Sequence, residues 1–392
     1  MGMVWKQTAT ISEALFGQVL GKEAVSIVNT YDYVTNGTKV ASSLENKEAF
    51  TQALGDLVHK QIFSARAYEN IESAHLVRDE QDWNVIIQKV RGKMPQPQED
   101  PAFMIGDPQF EPEKYLAPVY KMELTNKLFT SVGTVMFGYT MPDDLYRPAL
   151  LDMNKMGSIY DIFATNWNNR QIVELQNQIR TIRATLIAYK FHNNNENALV
   201  DLLKDFNDEF RSGEGATKLT HDEAIAFTNP EFTNYFLYRL YIDAKQLHRI
   251  DERFGDEEME NFTPKEYLYC DVNERVMGKI RFFVEPYVYN LDKLNTEINL
   301  NEIGYWQGVS DPYKISVNIK DDNNETVAVT QDSVIAVMYD IEAMGVSFYN
   351  KKVKTTYHDI AEYTTYVGKL RLGGFVDLSE NVKVYYIGPD ET

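Results

Sequence analysis

The chain has only one cysteine, Cys270, among its 392 residues. A single cysteine cannot form an intrachain disulfide framework or a cysteine-rich zinc site. The sequence also has no run of about 18 apolar residues, the length at which a segment can span a membrane. Its first residues lack the charged leader and apolar stretch of a secretory signal. We therefore expect a soluble protein that is made and kept in a reducing cytosol.

Basic residues are also scarce: 39 Lys and Arg accompany 58 Asp and Glu, which gives a formal net charge of -19. Because phosphate binding needs concentrated Lys and Arg, a protein that recognises a DNA sequence is not expected. From Glu196 to Glu260 the chain has 16 acidic and 7 basic residues. Such a segment is typical of a solvated face that keeps a protein soluble.

Recognisable catalytic and ligand-binding motifs are missing as well. The stretch "GQVLGKEA", Gly17–Ala24, resembles a phosphate-binding loop, but it is one residue short and has Glu23 where a hydroxyl residue is needed. No two of the six histidines have the four-residue spacing that presents paired metal ligands on a helix. The sequence therefore predicts no catalytic, cofactor-binding or metal site, and we do not expect an enzyme.

One segment keeps an enzymatic alternative open. The stretch "DERFGDEEMEN", Asp251–Asn261, is rich in carboxylates, and two acids about 5–10 Å apart suffice for glycoside hydrolysis. Because acid-rich surface loops are common, an acidic glycoside hydrolase is kept only as an alternative function.

The spacing of apolar residues predicts an α+β chain with several helices. Residues 1–45 are expected to form an arm with one short helix and a turn at "NGT", Asn36–Thr38. A stripe of apolar residues predicts a long amphipathic helix; its members are Ile172, Leu175, Ile179, Ile182, Leu186 and Tyr189. A shorter helix is predicted from Leu199 to Phe210. Another begins at "TNPEF", where Thr228 or Asn229 can cap it and Pro230 fits its first turn.

Strands are predicted on both sides of these helices. The stretch "WNVIIQKVRGKM" is expected to be a strand and "LFTSVGTVMFGY" its return. Further strands are predicted at "EYLYCDV" and "SVIAVMYD". The last fifty residues are expected to be all-β, with Val382, Val384 and Tyr386 alternating as in a half-buried strand.

The segment between the first predicted strand and its return contains six of the chain's 13 prolines. Proline cannot donate to a strand ladder or occupy a helix interior. We therefore predict a projecting two-stranded arm with an irregular, proline-stiffened tip. Its expected subunit-interface residues are Trp83, Ile87, Pro95, Pro97, Pro101, Phe103, Phe110 and Tyr115.

The end of the chain resembles a known family. The stretch "SVIAVMYDIEAMGV", Ser333–Val346, is similar to a segment of many phage capsid proteins, in which an apolar strand precedes Asp, a basic residue, Glu, Ala and a small turn. Here Ile341 replaces the basic residue. The stretch "DLSENVKVYYI" resembles the family's final strand. Together with the order of elements, these residues resemble the major capsid proteins of tailed bacteriophages with the Hong Kong 97-type fold, closest to those of small short-tailed picovirus-like podoviruses.

The resemblance implies a division of the chain into six parts. They are an N-terminal arm (1–45), a first peripheral helix (46–75), an extended loop (76–138), a peripheral domain with a spine helix at 158–190 (139–196), an axial domain (197–343) and a peripheral β return (344–392). Some family members have an additional immunoglobulin-like domain, which is not expected here.

The resemblance also implies a function without chemistry. The chain would self-assemble into pentamers and hexamers that form an icosahedral head around double-stranded DNA, bound without sequence specificity and with no membrane. Scaffolding and portal proteins would be its other partners. It would be found in the virion after assembly in the host cytoplasm. An encapsulin-like shell of cellular origin is a further alternative, because it resembles the same fold.

Overall fold

The structure is a computed structural model. It describes residues 5–20, 27, 30–43, 45–46, 48–50, 53, 72–78, 87–92, 124–129, 132–142, 144, 151–213, 215–251, 253–255, 261–284, 298–321, 323–358 and 361–390. Its α-helices are α1 (Trp5–Leu20), α2 (Thr30–Ala41), α3 (Met153–Asn193), α4 (Leu202–Phe210), α5 (His221–Ala226), α6 (Pro230–Leu247) and α7 (Glu274–Lys279). The predicted helix at 46–75 lies mostly outside the described residues.

The strands are distributed along the whole chain. They are β1 (Val77–Arg78), β2 (Ile87–Gly92), β3 (Leu124–Phe129), β4 (Val132–Pro142), β5 (Leu199–Asp201), β6 (Leu268–Asn273), β7 (Asn299–Ile303), β8 (Ile315–Lys320), β9 (Thr326–Gln331), β10 (Val334–Asp340), β11 (Met344–His358), β12 (Tyr363–Val376) and β13 (Val382–Tyr386). The predicted α+β class is confirmed. No helix among the described residues is long and apolar enough to cross a membrane.

The chain divides into two compact units. Unit one consists of Met1–Val85, Ser131–Arg180 and Val346–Gly374. Unit two consists of Ile86–Thr130, Thr181–Gly345 and Phe375–Thr392. Each unit therefore combines segments that are distant in sequence.

Two helices begin unit one, where the sequence predicted one short helix and a turn. The residues "NGT" lie inside α2 instead of forming a turn. Asn36 Nδ2 donates to Asp32 O at 2.9 Å and Thr38 Oγ1 donates to Val34 O at 2.7 Å, so both side chains bond within the helix. Gly37 is buried. Packing of this helix overrides the local preference for a turn.

The sheet of unit one has the order β1-β11-β12-β4. β4 pairs antiparallel with β12 through eleven residue pairs, from Val132 opposite Gly373 to Pro142 opposite Tyr363. The buried core of unit one includes Phe16, Tyr33 and Trp167. This pairing corrects the predicted return strand: most of "LFTSVGTVMFGY" belongs to β4, and β3 is the strand that pairs with β2.

The long helix predicted at 158–190 is present and extends from Met153 to Asn193. Its predicted stripe is buried at Leu175, Ile179, Ile182 and Leu186. The expected cap of α6 is also confirmed, because the Asn229 side chain accepts hydrogen bonds from the Glu231 and Phe232 backbone N–H groups. In contrast, Leu199 belongs to strand β5, and the Asp201 side chain caps α4, so that helix begins later than predicted.

The sheet of unit two has the order β5-β13-β10-β6-β7, and every residue of β10 is buried. β13 was expected to be half-buried, but Val382 to Tyr385 are all buried. The polar residue among them, Lys383, donates to Asp243 Oδ1 at 2.7 Å, and Tyr385 Oη donates to Asp243 Oδ2 at 2.9 Å. The ion pair allows a charged residue to occupy an interior strand.

A second buried polar network lies on β6. The guanidinium of Arg183 on α3 lies 2.6 Å from Asp271 Oδ2 and over the ring of Trp306 at 6.0 Å. Asp271 also accepts hydrogen bonds from Tyr339 Oη on β10 at 3.1 Å and from Asn301 Nδ2 on β7 at 2.7 Å. One carboxylate thus connects three adjacent strands and a helix.

Candidate functional site

The predicted interface lies largely outside the described residues. This applies to Trp83 and to the tip residues Pro95, Pro97, Pro101, Phe103, Phe110 and Tyr115. Ile87 is described and begins β2, where it pairs with Phe129. The part of the arm that the structure describes is therefore its base, formed by β2 and β3, which we call the arm stem.

The arm stem has two different faces because side chains alternate along a strand. Gln88 and Val90 on β2 and Leu124, Asn126 and Leu128 on β3 are exposed. Val90, Leu124 and Leu128 are 55%, 60% and 55% exposed, and we call these three the apolar arm face. The opposite face consists of partly buried residues, which are Lys89, Arg91, Thr125, Lys127 and Phe129.

The cationic face of the arm stem contacts a turn between β12 and β13 in the same unit. This turn, residues 377–381, is called the carboxylate turn. Asp377 Oδ1 lies 2.9 Å from Lys127 Nζ, and Asp377 Oδ2 lies 2.8 Å from Lys89 Nζ. Close by, the rings of Phe129 and Phe375 lie 5.3 Å apart. The stem is thus held by buried ion pairs together with an aromatic contact.

A second carboxylate of the turn completes the ionic cluster. Glu380 forms ion pairs with Lys89 and with Arg91, whose Nη2 lies 2.9 Å from Glu380 Oε1. Glu342 adds a longer contact, 3.3 Å from its Oε2 to Lys89 Nζ. Among the described residues, three cations therefore face three carboxylates, so their charges are balanced where the stem meets the carboxylate turn.

The carboxylate turn is itself fixed by hydrogen bonds. Ser379 donates to Asp377 Oδ1 from both its N–H, at 3.1 Å, and its hydroxyl, at 2.7 Å. Lys190 Nζ donates to Leu378 O at 3.3 Å. The Ser379 carbonyl accepts from the Asn261 side chain and passes so close to Gly255 that a Cβ at that position would overlap it. The carboxylates are therefore presented in one defined arrangement.

Burial and pairing shift the pKa values in this cluster. Burial alone would raise the pKa of Asp377, but hydrogen bonds from Lys89, Ser379 and Lys127 hold that pKa well below its usual range. Burial opposes the charged form of Lys89 too, yet Glu380 and Asp377 raise the pKa of this amine. Both residues are consequently charged at neutral pH, which favours the ionic contacts.

Asp340 ends β10 beside the carboxylate turn and begins the predicted turn of "DIEAMGV". Its Oδ1 accepts from Glu342 N at 2.8 Å, and its own N–H donates to Asn381 O at 3.1 Å. Burial raises the pKa of Asp340 to about 6, and the negative charge of Glu380 adds to this effect. The carboxyl group therefore gains a proton only slightly below neutral pH.

The ionic cluster of the stem was not predicted from the sequence, although one local signal for its cations exists. Lys89 and Arg91 are two residues apart, which places both on one face of a strand. Their carboxylates lie about 290 residues later in the chain, for example 291 residues from Lys89 to Glu380, and no local pattern connects them.

Within the described part of the chain, no group of three or more His, Cys, Asp or Glu side chains is arranged to hold a metal ion. Cys270 is buried, and burial raises the pKa of its thiol well above the usual value. Between β8 and β9, Asp321 Oδ1 accepts hydrogen bonds from the backbone N–H groups of Asn323 and Glu325.

The chain is similar to several solved structures of bacteriophages. One is the capsid of Staphylococcus phage Andhra (8% identity, 80% of this chain and 83% of that chain, TM-score 0.48). Another comes from the structure of the head fiber and inner core protein gp22 of native bacteriophage P68 (7% identity, 80% and 83%, TM-score 0.49). A third is the capsid of the cyanophage P-SCSP1u (11% identity, 81% and 87%, TM-score 0.45). No family model and no curated protein matches the chain.

Proposed function

We propose that the chain is the major capsid protein of a tailed bacteriophage with the Hong Kong 97-type fold. It self-assembles into pentamers and hexamers that form an icosahedral head around double-stranded DNA. The observation that carries this proposal is the arm stem, which is ionic on the face toward its own unit and has three exposed apolar side chains on its other face. The podovirus-like subtype, the portal and scaffolding partners, the assembly in a host cytoplasm and the absence of enzymatic activity belong to the same proposal.

The apolar arm face supports docking on a second copy of the chain. Isolated two-stranded sheets are marginally stable in water, so a stem with exposed Val90, Leu124 and Leu128 gains from being covered. The ionic cluster holds the stem before docking, which reduces the conformational entropy lost on association. A shell repeats such a contact by symmetry, and each single contact can then be modest.

The domain map remains part of the proposal. The arm, 76–138, would lie across a neighbouring subunit and use Trp83, Ile87 and the proline-rich tip as contacts. The helix at 158–190 would be the spine of the peripheral domain, 197–343 the axial domain and 344–392 the β return. The net charge of -19 supports a container that confines DNA without binding it tightly.

The first test is electron microscopy of the full chain after expression. Closed icosahedral shells or capsomer rings are expected. A protein that stays monomeric at every concentration and releases sugar from a glycan would overturn the proposal in favour of the glycoside hydrolase. Shells that contain a cargo enzyme and no DNA, when isolated from the source cells, would favour the encapsulin-like alternative.

The second test concerns the arm. Leu128→Asp places a charge on the apolar arm face, whereas Asn126→Asp places the same charge on the same face where a polar residue already stands. We expect both variants to fold, and only Leu128→Asp to lose shells. Deleting 95–118 should likewise leave a folded subunit that forms no stable shells. Normal shells from both Leu128→Asp and the deletion would show that the arm makes no assembly contact.

A further inference from the structure

A different surface, in unit one, has the properties of a pairing edge. β4 is the last strand of its sheet, and among the described strands only β12 pairs with it. A long edge strand presents backbone N–H and C=O groups that can add another strand. Proteins usually prevent this with charges, prolines or very short edges. β4 has eleven residues, none of them charged, and its proline is the terminal Pro142.

From Thr134 to Pro142, exposed and less exposed residues alternate along β4. Thr134, Met136, Gly138 and Thr140 are exposed, whereas Val135, Phe137 and Tyr139 are partly buried. Met136 is 60% exposed. Phe137 packs on the ring of Trp167 with centroids 4.6 Å apart, so this residue fixes one face of β4 to unit one. The strand is thus held through one face, while its other face is exposed and its second edge pairs with none of the described strands.

The exposed residues of β4 form a self-complementary pattern about Phe137. In an antiparallel pair of two copies centred on residue 137, all eleven residues find a partner, from Val132 to Pro142. Thr134 then lies opposite Thr140 of the second copy. Met136 lies opposite Gly138 of the second copy, where the missing side chain leaves room for the thioether. If the pair were centred on residue 136, Met136 of one copy would lie opposite Met136 of the other. If it were centred on residue 138, the two Gly138 residues would face each other.

We propose that two copies of the chain associate through β4, antiparallel and centred on Phe137, so that the sheet of unit one continues across a two-fold axis. The contact is isologous, since each copy contributes the same strand. Facing threonines stabilise a pair of strands, and no like charges meet across the axis. This inference rests on the proposed self-assembly and identifies one contact within it.

Cysteine cross-linking tests both the contact and its register. In the double variant Thr134→Cys/Thr140→Cys, the cysteine at position 134 of each copy faces the cysteine at position 140 of the other copy, which gives two facing thiol pairs per contact. In each single variant, the introduced cysteine faces a threonine. All substituted positions are exposed, and the natural Cys270 is buried. Under mild oxidation of assembled particles, the double variant should give at least about tenfold more linked dimer than either single variant, because only facing thiols reach disulfide geometry.

A second variant measures the contact without a cross-link. Met136→Lys brings two charges into diagonal positions across the axis and should reduce association, while Arg371→Lys on the adjacent β12 keeps the charge and serves as a control. Linkage in a single variant, or none in the double variant although particles form, would overturn the β4 contact and leave the proposed shell intact. A parent protein that never assembles would overturn the shell and the contact together.

Discussion

Lys127 Nζ lies 2.9 Å from Asp377 Oδ1, and the two residues are 250 positions apart in the chain. A contact across such a separation can form only after both segments have reached their places in unit two, because loop closure is costly before other contacts compensate for it. We therefore expect the arm stem to pack against the carboxylate turn late in folding.

Removing Lys89 should weaken this attachment. In Lys89→Met, Asp377 and Glu380 lose a cation while their side chains are 0% and 4% exposed. Loss of one partner from a buried ion pair costs about 3 kcal/mol. Urea unfolding should show this decrease, and hydrogen exchange should become faster in β2 and β3. Gln88→Met, on the opposite face of β2, is the control; equal exchange in both variants would contradict the role given to Lys89.

Asp340 should make stability depend on pH near neutrality. Its pKa of about 6 exceeds the usual value of 3.8, so the folded state binds this proton more tightly than the unfolded state. Stability from this group is complete below about pH 4 and is lost as the pH rises to about 6. Asp340→Asn should therefore be more stable than the parent by about 3 kcal/mol at pH 8.

At pH 4 the same variant and the parent should have similar free energies of unfolding. Chemical denaturation at several pH values measures the unfolding free energy of each protein. The difference between variant and parent at each pH removes the contribution of the other titrating groups, which both proteins share. A difference that does not change between pH 4 and pH 8 would contradict the raised pKa of Asp340.

The buried pair of Lys383 and Asp243 should respond asymmetrically to mutation. Asp243→Asn leaves the Lys383 amine without a carboxylate and should cost about 3–5 kcal/mol. Lys383→Met should cost less, because Asp243 keeps the Tyr385 hydroxyl at 2.9 Å and Arg239 Nε at 3.3 Å. Thermal unfolding of the two variants compares them. Equal losses of stability in the two variants would show that Arg239 and Tyr385 do not stabilise the Asp243 carboxylate when Lys383 is absent.

Gly368 on β12 should tolerate no larger residue. A Cβ at this position would overlap the six-membered ring of Trp167, which is buried in the core of unit one. Gly368→Ala should therefore destabilise the protein by about 2 kcal/mol or more. Gly133→Ala is the matched control, since its added methyl group would have Leu372 O as its nearest neighbour at 3.9 Å. Differential scanning calorimetry should separate the two variants clearly.

Features that depend on neighbouring residues were predictable from the sequence. The Asn229 cap and the strand "SVIAVMYD" are set by side chains within a few residues of one another. The α+β class follows from the same local patterns. The predicted interface residues on the arm tip stay a prediction.

Features that depend on distant contacts were not predictable. The turn expected at Asn36–Thr38 is a helix because α2 buries Gly37 in unit one. β2 pairs with β3 and not with the more apolar β4, because β12 supplies a longer partner for β4. Likewise, nothing near Lys89 in the sequence indicates Asp377. In each case the deciding residue comes from another part of the chain.

The contacts of Asp271 depend on the correct register of the sheet in unit two. Its carboxylate meets Asn301 on one neighbouring strand, Tyr339 on the other and Arg183 on α3. A slip of one residue in β6 would turn this carboxylate to the opposite face and leave Arg183 buried without it. A misaligned subunit would therefore be much less stable than a correct one. In the proposed shell of many identical copies, we expect such a subunit to unfold before it is incorporated, so that correct alignment within each subunit favours a correctly built particle.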